Sequence, residues 1–109
     1  MAWRILLDTP IDVTEPLGAV TSATHVSLTS IQIDTTEDSD AEGSAAVYIS
    51  LSKKVGAVWH HQPYNTVSLN GAGYTDLVTR MAPQGNPRAQ ILDAVAANVA
   101  ELAGDTENV

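Results

Sequence analysis

The sequence contains no cysteine and no phenylalanine, and only five of its 109 residues are lysine or arginine. Without cysteine the chain has no disulfide framework, no thiolate zinc site and no cysteine nucleophile. Aspartate and glutamate number 13, so the formal net charge is −8. A chain this acidic is a poor candidate for neutralising phosphate backbones, and we therefore expect no nucleic-acid partner.

Long apolar runs are also missing. The apolar run at residues 5–7 is far shorter than the core of a signal peptide, and no stretch approaches the length of a membrane helix. We therefore expect no membrane partner and no export by a signal peptide. Residues 16–33 and 55–75 lack charged side chains but are rich in serine, threonine, glycine and asparagine. Such uncharged polar segments suit protein–protein contacts, although ordinary strands and turns have the same composition.

Alternating apolar residues predict that the first two-thirds of the chain is β-rich. A short strand is expected over 3–7, ended by Pro10, and another over 11–14. The apolar phase of 23–35 slips near Thr29, which favours a β-bulge over two separate strands, so that Val26, Leu28, Ile31 and Ile33 all reach the core. The clearest strand is 44–52, whose inward face carries Ala45, Val47, Ile49 and Leu51.

An acidic loop is predicted over 34–43, joining the 23–35 and 44–52 strands as a hairpin. It contains five of the 13 acidic residues. Asp38 and its neighbours imitate the start of an EF-hand loop, but Ile49 occupies the position of the required bidentate glutamate, so the EF-hand interpretation fails. A weak surface calcium site and a solvated hairpin tip that blocks edge-to-edge aggregation both remain open.

The rest of the chain combines two further strands with two helices. After a connection at 52–54, strands are expected over 55–61, with Val55, Ala57 and Trp59 on one face, and over 64–69, with Val67 and Leu69 inward. A turn at 70–73 precedes a short helix near 75–81, on which Tyr74, Leu77, Val78 and Met81 have helical spacing.

Asn86 and Pro87 are a helix start, and they predict a C-terminal helix near 87–103 that ends at Gly104. The tail 105–109 is expected to be frayed. Residues 1–109 thus form a single β-rich domain of α+β class, with an antiparallel sheet or small sandwich of about five or six strands.

No catalytic or metal-binding pattern is evident. The chain has no Gly-x-Ser-x-Gly elbow, and Gly71-Ala72-Gly73 lacks the third glycine of a dinucleotide-binding loop. His60 and His61 are adjacent, so on a strand they point to opposite faces and do not converge on one ion. We therefore expect no catalytic residues, no metal, no cofactor and no enzymatic activity.

The aromatic residues permit a second function. Trp59 and Tyr64, with Tyr48, would suit a carbohydrate-binding module if their rings form an exposed platform. The other interpretation is that Trp59 packs in the core in phase with Val55 and Ala57, and we favour it.

One part of the sequence resembles a known group of proteins. Residues 26–34 read Val-Ser-Leu-Thr-Ser-Ile-Gln-Ile-Asp, followed by the 45–51 strand and the Asn70-Gly71 turn ahead of a short and a longer helix. This pattern resembles small accessory structural proteins of tailed-phage and prophage virions. The resemblance implies a component of the tail, neck, baseplate or capsid surface, assembled as a symmetric oligomer in the bacterial cytoplasm. It carries no catalytic residues over.

Together these observations predict a non-enzymatic structural protein that acts through contacts with copies of itself and with other virion proteins. The expected contact residues are Trp3, Tyr48, Trp59, His60 and Tyr64. The N-terminal strand around Trp3 is expected to add to the sheet edge of a neighbour.

Overall fold

Six strands and two helices make up the part of the chain that the computed structural model describes, namely residues 2–14, 20–35 and 43–109. In chain order they are β1 (Trp3–Thr14), β2 (Val20–Thr35), β3 (Gly43–Val55), β4 (Val58–Pro63), β5 (Val67–Asn70), α1 (Ala72–Met81), α2 (Pro87–Asn98) and β6 (Gly104–Asn108), with a short 3₁₀ helix, Ala100–Leu102, before β6. The strands form one antiparallel sheet in the order β4-β3-β2-β1-β6. β5 also pairs with β3, on the same side as β4. The α+β prediction is confirmed, with a single sheet rather than a sandwich.

The core lies between one face of the sheet and the two helices. Strand β3 alternates as predicted, and its four inward apolar side chains are at most 3% exposed. They pack with Ile5 of β1 and with Leu77 and Leu92 of the helices, all fully buried. Burying apolar side chains in this way is the main force that holds the helices on the sheet.

The predicted bulge in β2 is present. The register of β2 on β3 shifts between Leu28 and Ser30. Its effect on the core is smaller than expected, because Val26 is fully buried whereas Ile33 is 44% exposed. The β2–β3 hairpin is confirmed as well, but both strands extend into the predicted acidic loop. Asp34 and Thr35 belong to β2, Gly43 belongs to β3, and 36–42 lie outside the described residues.

Two expectations for the N-terminal region are wrong. Pro10 does not end the first strand, because β1 continues to Thr14 through a register shift between Leu6 and Ile11 that leaves Pro10 outside the ladder with β2. β1 also lies between β2 and β6, so both of its edges are already paired. The N-terminal strand is therefore not free to add to the sheet of a neighbour.

The β3–β4 boundary differs from the prediction. Residues 52–54 continue β3 instead of connecting two strands, and the turn falls at Gly56, whose φ is +63°. Val55 is consequently 56% exposed at the end of β3, and it does not share an inward face with Ala57 and Trp59. The next predicted strand is shorter than expected, but Val67 and Leu69 do point inward.

Both helices are present with shifted ends. α1 begins at Ala72, directly after Gly71 with φ +54°, and Val78 is 43% exposed because the helix turns it away from the core. The predicted N-cap of α2 is confirmed, since the Asn86 side chain accepts a hydrogen bond from the Ala89 N–H at 3.2 Å. α2 ends at Asn98, however, and does not continue to residue 103.

The largest correction concerns the C-terminus. Residues 104–108 form β6, which pairs with β1 from Trp3 to Leu7, so the tail is not frayed. Gly104 does not end a helix. It is required because a Cβ there would collide with the Leu6 carbonyl oxygen. No helix in the described ranges is long and apolar enough to cross a membrane.

Candidate functional site

The sheet face opposite the helices carries a connected polar cluster, which we call the polar face: Arg4, His25, Ser27, Ser52, Trp59, His61 and Glu107. The ladder aligns these residues, because Arg4 pairs with Ser27 and Glu107, while Ser52 pairs with His25 and His61. Alternation along each strand points them away from the core.

A run of hydrogen bonds crosses four strands on the polar face. Arg4 Nε donates to Ser27 Oγ at 3.2 Å, Ser27 Oγ lies 2.6 Å from Ser52 Oγ, and Ser52 Oγ lies 2.9 Å from His61 Nδ1. Arginine can only donate, so each hydroxyl hydrogen is used when the run is directed from Arg4 to His61. In that arrangement neutral His61 accepts at Nδ1 and carries its hydrogen on Nε2.

Trp59 covers two of these residues. The Arg4 guanidinium carbon lies 3.9 Å from the centroid of the indole ring, a cation–π contact. The His25 ring meets the same indole edge-on at a centroid distance of 4.9 Å. Arg4 Nη1 also donates to the Val109 carbonyl at 2.6 Å, so the guanidinium joins β1, β2 and the C-terminus. Burial lowers the pKa of Arg4 below its ordinary value.

His25 occupies a balanced environment on the same face. Burial lowers its pKa below the ordinary value of 6.5, and the nearby Arg4 guanidinium acts in the same direction. The Glu107 carboxylate opposes this shift, with Oε1 3.7 Å from His25 Nε2. The Nδ1 atom lies 2.8 Å from Thr24 Oγ1. The histidine therefore links β2 with β6 through its side chain.

A cleft of about 720 Å³ opens beside this cluster. It lies where the sheet divides, because β2 pairs with β1 from Val20 to Ala23 but pairs with β3 only from His25 onward. Lys53 crosses the cleft, with Nζ donating to Thr21 Oγ1 at 3.2 Å. His60, His61, Ser22 and the apolar side chains of Val13, Leu51 and Val55 also line it.

The arrangement does not amount to an accessible hydrolytic centre. Ser52 and His61 have the distance of a nucleophile and its base, but Ser52 is only 1% exposed. Its hydroxyl therefore has a structural role in the hydrogen-bond run. No group of three or more metal-ligating side chains occurs within the described residues.

The predicted contact residues are distributed over several parts of the fold. Trp3 is half-buried against the core, Tyr48 is 40% exposed on β3, and Trp59 lies on the polar face. His60 is exposed and lines the cleft. The Tyr64 hydroxyl donates to Glu101 Oε2 at 2.9 Å, and this hydrogen bond raises the pKa of Tyr64.

The exposed platform that the alternative carbohydrate-binding interpretation requires of Trp59 and Tyr64 is not assembled. One face of the Trp59 indole is covered by Arg4, and Tyr64 is tied to Glu101 beside the helices. The core position favoured for Trp59 is wrong as well, because its ring packs on polar side chains. Sequence reasoning missed Arg4 and Ser52. The signal for Arg4 was a lone cation within an apolar run, and no local signal marked Ser52.

The two ends of the sheet differ in charge. Within the described residues, β4 and β6 each pair with one neighbour only, so each presents an edge. β4 contains no acidic residue, lysine or arginine, and it starts with Val58, which is 58% exposed. β6 carries Asp105 and Glu107. Lys53 and Lys54, the two lysines of the chain, lie on β3 directly beside β4.

No protein-family model, no curated protein and no solved structure matches this chain. The function has therefore to be inferred from the chemistry of the described residues. Three features of the described residues bear on function: the two sheet edges of different charge, the polar face and the cleft.

Proposed function

We propose that the protein is a non-enzymatic assembly protein whose copies associate by joining the β4 edge of one copy to the β6 edge of the next. The single observation that carries this proposal is the open β4 edge. A sheet edge offers a row of unpaired backbone groups, and proteins that remain monomeric usually protect such an edge with charged side chains. β4 has none. Val58 at its start and Val55, its partner at the end of β3, are both more than half exposed.

Charge favours pairing between the two different edges. Asp105 and Glu107 on β6 would repel a second β6 edge, whereas Lys54 beside β4 would attract a β6 edge. The chain as a whole has a net charge of −8, so association needs a local attraction of this kind.

Strand direction is compatible with a closed assembly. Each neighbouring pair in the order β4-β3-β2-β1-β6 is antiparallel, so β4 and β6 run in the same direction. Rotation about an axis along the strands therefore places β6 of one copy parallel to β4 of the next. Repeating such a head-to-tail contact closes a ring when the rotation divides a full turn.

A symmetric ring fits the setting implied by the sequence resemblance. We place the assembly in a tailed-phage particle, as a component of the tail, neck, baseplate or capsid surface formed in the bacterial cytoplasm. Other virion proteins are its further partners in this proposal. The support for the particle is the resemblance of residues 26–34 and of the elements that follow.

Light scattering of two variants tests the edge contact. We expect the natural protein to form a discrete oligomer, Val58→Lys to be monomeric, and Val78→Lys to remain oligomeric. Val78 is a matched control because it is an exposed valine on α1, distant from β4 in the sequence. A natural protein that is monomeric at every concentration, or an oligomer that persists in Val58→Lys, overturns the proposal.

A further inference from the structure

The strand pairing of the sheet itself forms the cleft. β1 and β2 continue beyond the point where β2 leaves β3, and the β3–β4 hairpin extends past it on the other side. The space between these two hairpins is about 720 Å³, which lies within the usual range for small-molecule sites. Residues 60–63 of β4 line the cleft, whereas the proposed association uses the backbone edge of that strand.

The charge of the cleft is opposite to that of the protein. Lys53 projects into it, and His60 and His61 line its wall. None of the described lining residues is an aspartate or a glutamate. In a chain with a net charge of −8, this is an unusual concentration of nitrogen donors. Among the described residues, the hydrogen-bond partner of Lys53 is a neutral hydroxyl, Thr21 Oγ1 at 3.2 Å. An anion at this point would therefore meet a cation without a carboxylate competing for it.

His60 adds a second polar group. It pairs with Lys53 in the β3–β4 ladder, so the two side chains point to the same face of the sheet. His61 points to the opposite face, where its Nδ1 atom lies 2.9 Å from Ser52 Oγ. Because His60 is exposed and lines the cleft, its ring is accessible to a ligand.

The remaining wall is apolar. Val13, Ala23, Leu51, Val55 and Pro63 line the cleft, and they contribute side chains of three β-strands and the end of a fourth. A hydrated inorganic ion would leave this surface in contact with water. An organic anion with an aliphatic or aromatic body would bury it and place its charged group at Lys53.

We propose that this cleft binds a small amphipathic anion, with its acidic head group on Lys53 and His60 and its apolar body against Val13, Leu51 and Val55. The head group is a carboxylate, sulfonate or phosphate, since all three accept hydrogen bonds from lysine and imidazole N–H groups. Association is tested with Val58→Lys and ligand binding with Lys53→Gln, so the failure of one proposal is distinguishable from the failure of the other.

Fluorescence titration with 8-anilinonaphthalene-1-sulfonate, an amphipathic anion, tests the site. We expect a saturable increase in emission from the folded protein. Lys53→Gln should weaken binding by about tenfold, the effect of losing one charge-assisted contact. Lys54→Gln is the matched control, because it removes the same charge from the next residue, which does not line the cleft. Circular dichroism of each variant verifies that the fold is retained.

Competition separates the two halves of the proposed ligand. Decanoate should displace the probe at a lower concentration than decanol, which has the same chain length without the charge. Inorganic phosphate alone should displace it poorly because it leaves the apolar wall uncovered. The proposal is overturned if the emission does not saturate, if Lys53→Gln and Lys54→Gln weaken binding equally, or if decanol competes as well as decanoate.

Discussion

The guanidinium carbon of Arg4 lies 3.9 Å from the centre of the Trp59 indole ring. Arg4 is on β1 and Trp59 is on the edge strand β4, and β2 and β3 lie between these two strands in the sheet. The contact spans the polar face. It connects Arg4, which pairs with Ser27 of β2, to the edge strand β4. Loss of this contact should therefore destabilise both β1 and the β4 edge.

A double-mutant cycle with Arg4→Met and Trp59→Leu measures this contact. Arg4 is only 8% exposed, so the cation–π interaction is shielded from water. We expect a coupling energy of about 1 kcal/mol in the free energy of unfolding, measured by urea denaturation. Arg4→Met should also be the more destabilising single change, because it leaves the Val109 carbonyl without its donor. Strict additivity of the two substitutions would contradict a direct interaction.

Gly104→Ala should destabilise the protein by about 2–4 kcal/mol. The new Cβ would collide with the backbone oxygen of Leu6, and β6 has to move away from β1 to avoid it. Thermal unfolding measures the effect.

Gly73→Ala is the matched control for this substitution. Gly73 lies within α1, where the nearest atom to a new Cβ is 3.6 Å away, an ordinary contact. Alanine is also the better helix former, so we expect this variant to be as stable as the natural protein or up to about 1 kcal/mol more stable. If Gly104→Ala behaves in the same way, β6 does not pack on β1 as described.

The stability of the protein should fall as the pH falls below 6.5, in part through His25. Its folded-state pKa is lowered by burial, so between that value and 6.5 the unfolded chain binds the proton more readily. The free energy of unfolding therefore decreases on acidification through this window and is unaffected by His25 above it. His25→Gln should flatten the profile measured by denaturation between pH 5 and pH 8, whereas His60→Gln, at an exposed site, serves as the control. Equal profiles for the natural protein and His25→Gln would exclude this role.

The interior of the sheet was predictable because its strands alternate. Val47 and Leu51 recur with period two, and burial of one face selects a single register for such a strand. The bulge in β2 was predictable for the same reason. Asn86 marked the start of α2 through its capping chemistry, which depends only on nearby residues.

β6 was not predictable, because Gly-Asp-Thr-Glu-Asn has no apolar alternation and only one strand-favouring residue, Thr106. Its conformation comes from backbone pairing with β1, about 100 residues earlier in the chain. Gly104 has two uses in proteins, as a helix end and at a close backbone approach, and the sequence does not distinguish them. The polar face was not predictable from the sequence, because Arg4, Ser27 and Ser52 come together only in the folded sheet.

Reversing a charge on β6 should weaken association if the two unlike edges pair. Asp105→Lys places a cation near Lys54 beside β4, and we expect it to shift the protein towards monomer in sedimentation velocity. Asp93→Lys makes the same change at an exposed position on α2 and should have little effect. Raising the salt from about 50 mM to about 500 mM should also weaken association of the natural protein, because the charges at both edges are solvent-exposed. Equal behaviour of the two variants would argue against the β6 edge as the partner.

Hydrogen–deuterium exchange at low and high protein concentration tests the pairing of β4 with β6 most directly, because a new ladder protects backbone amides at both edges. We predict that protection of residues 58–63 and of residues 104–108 rises together with concentration, while β1 and β2, already paired on both sides, change little. Exchange that is independent of concentration at both edges, or protection that rises at one edge alone, would contradict it.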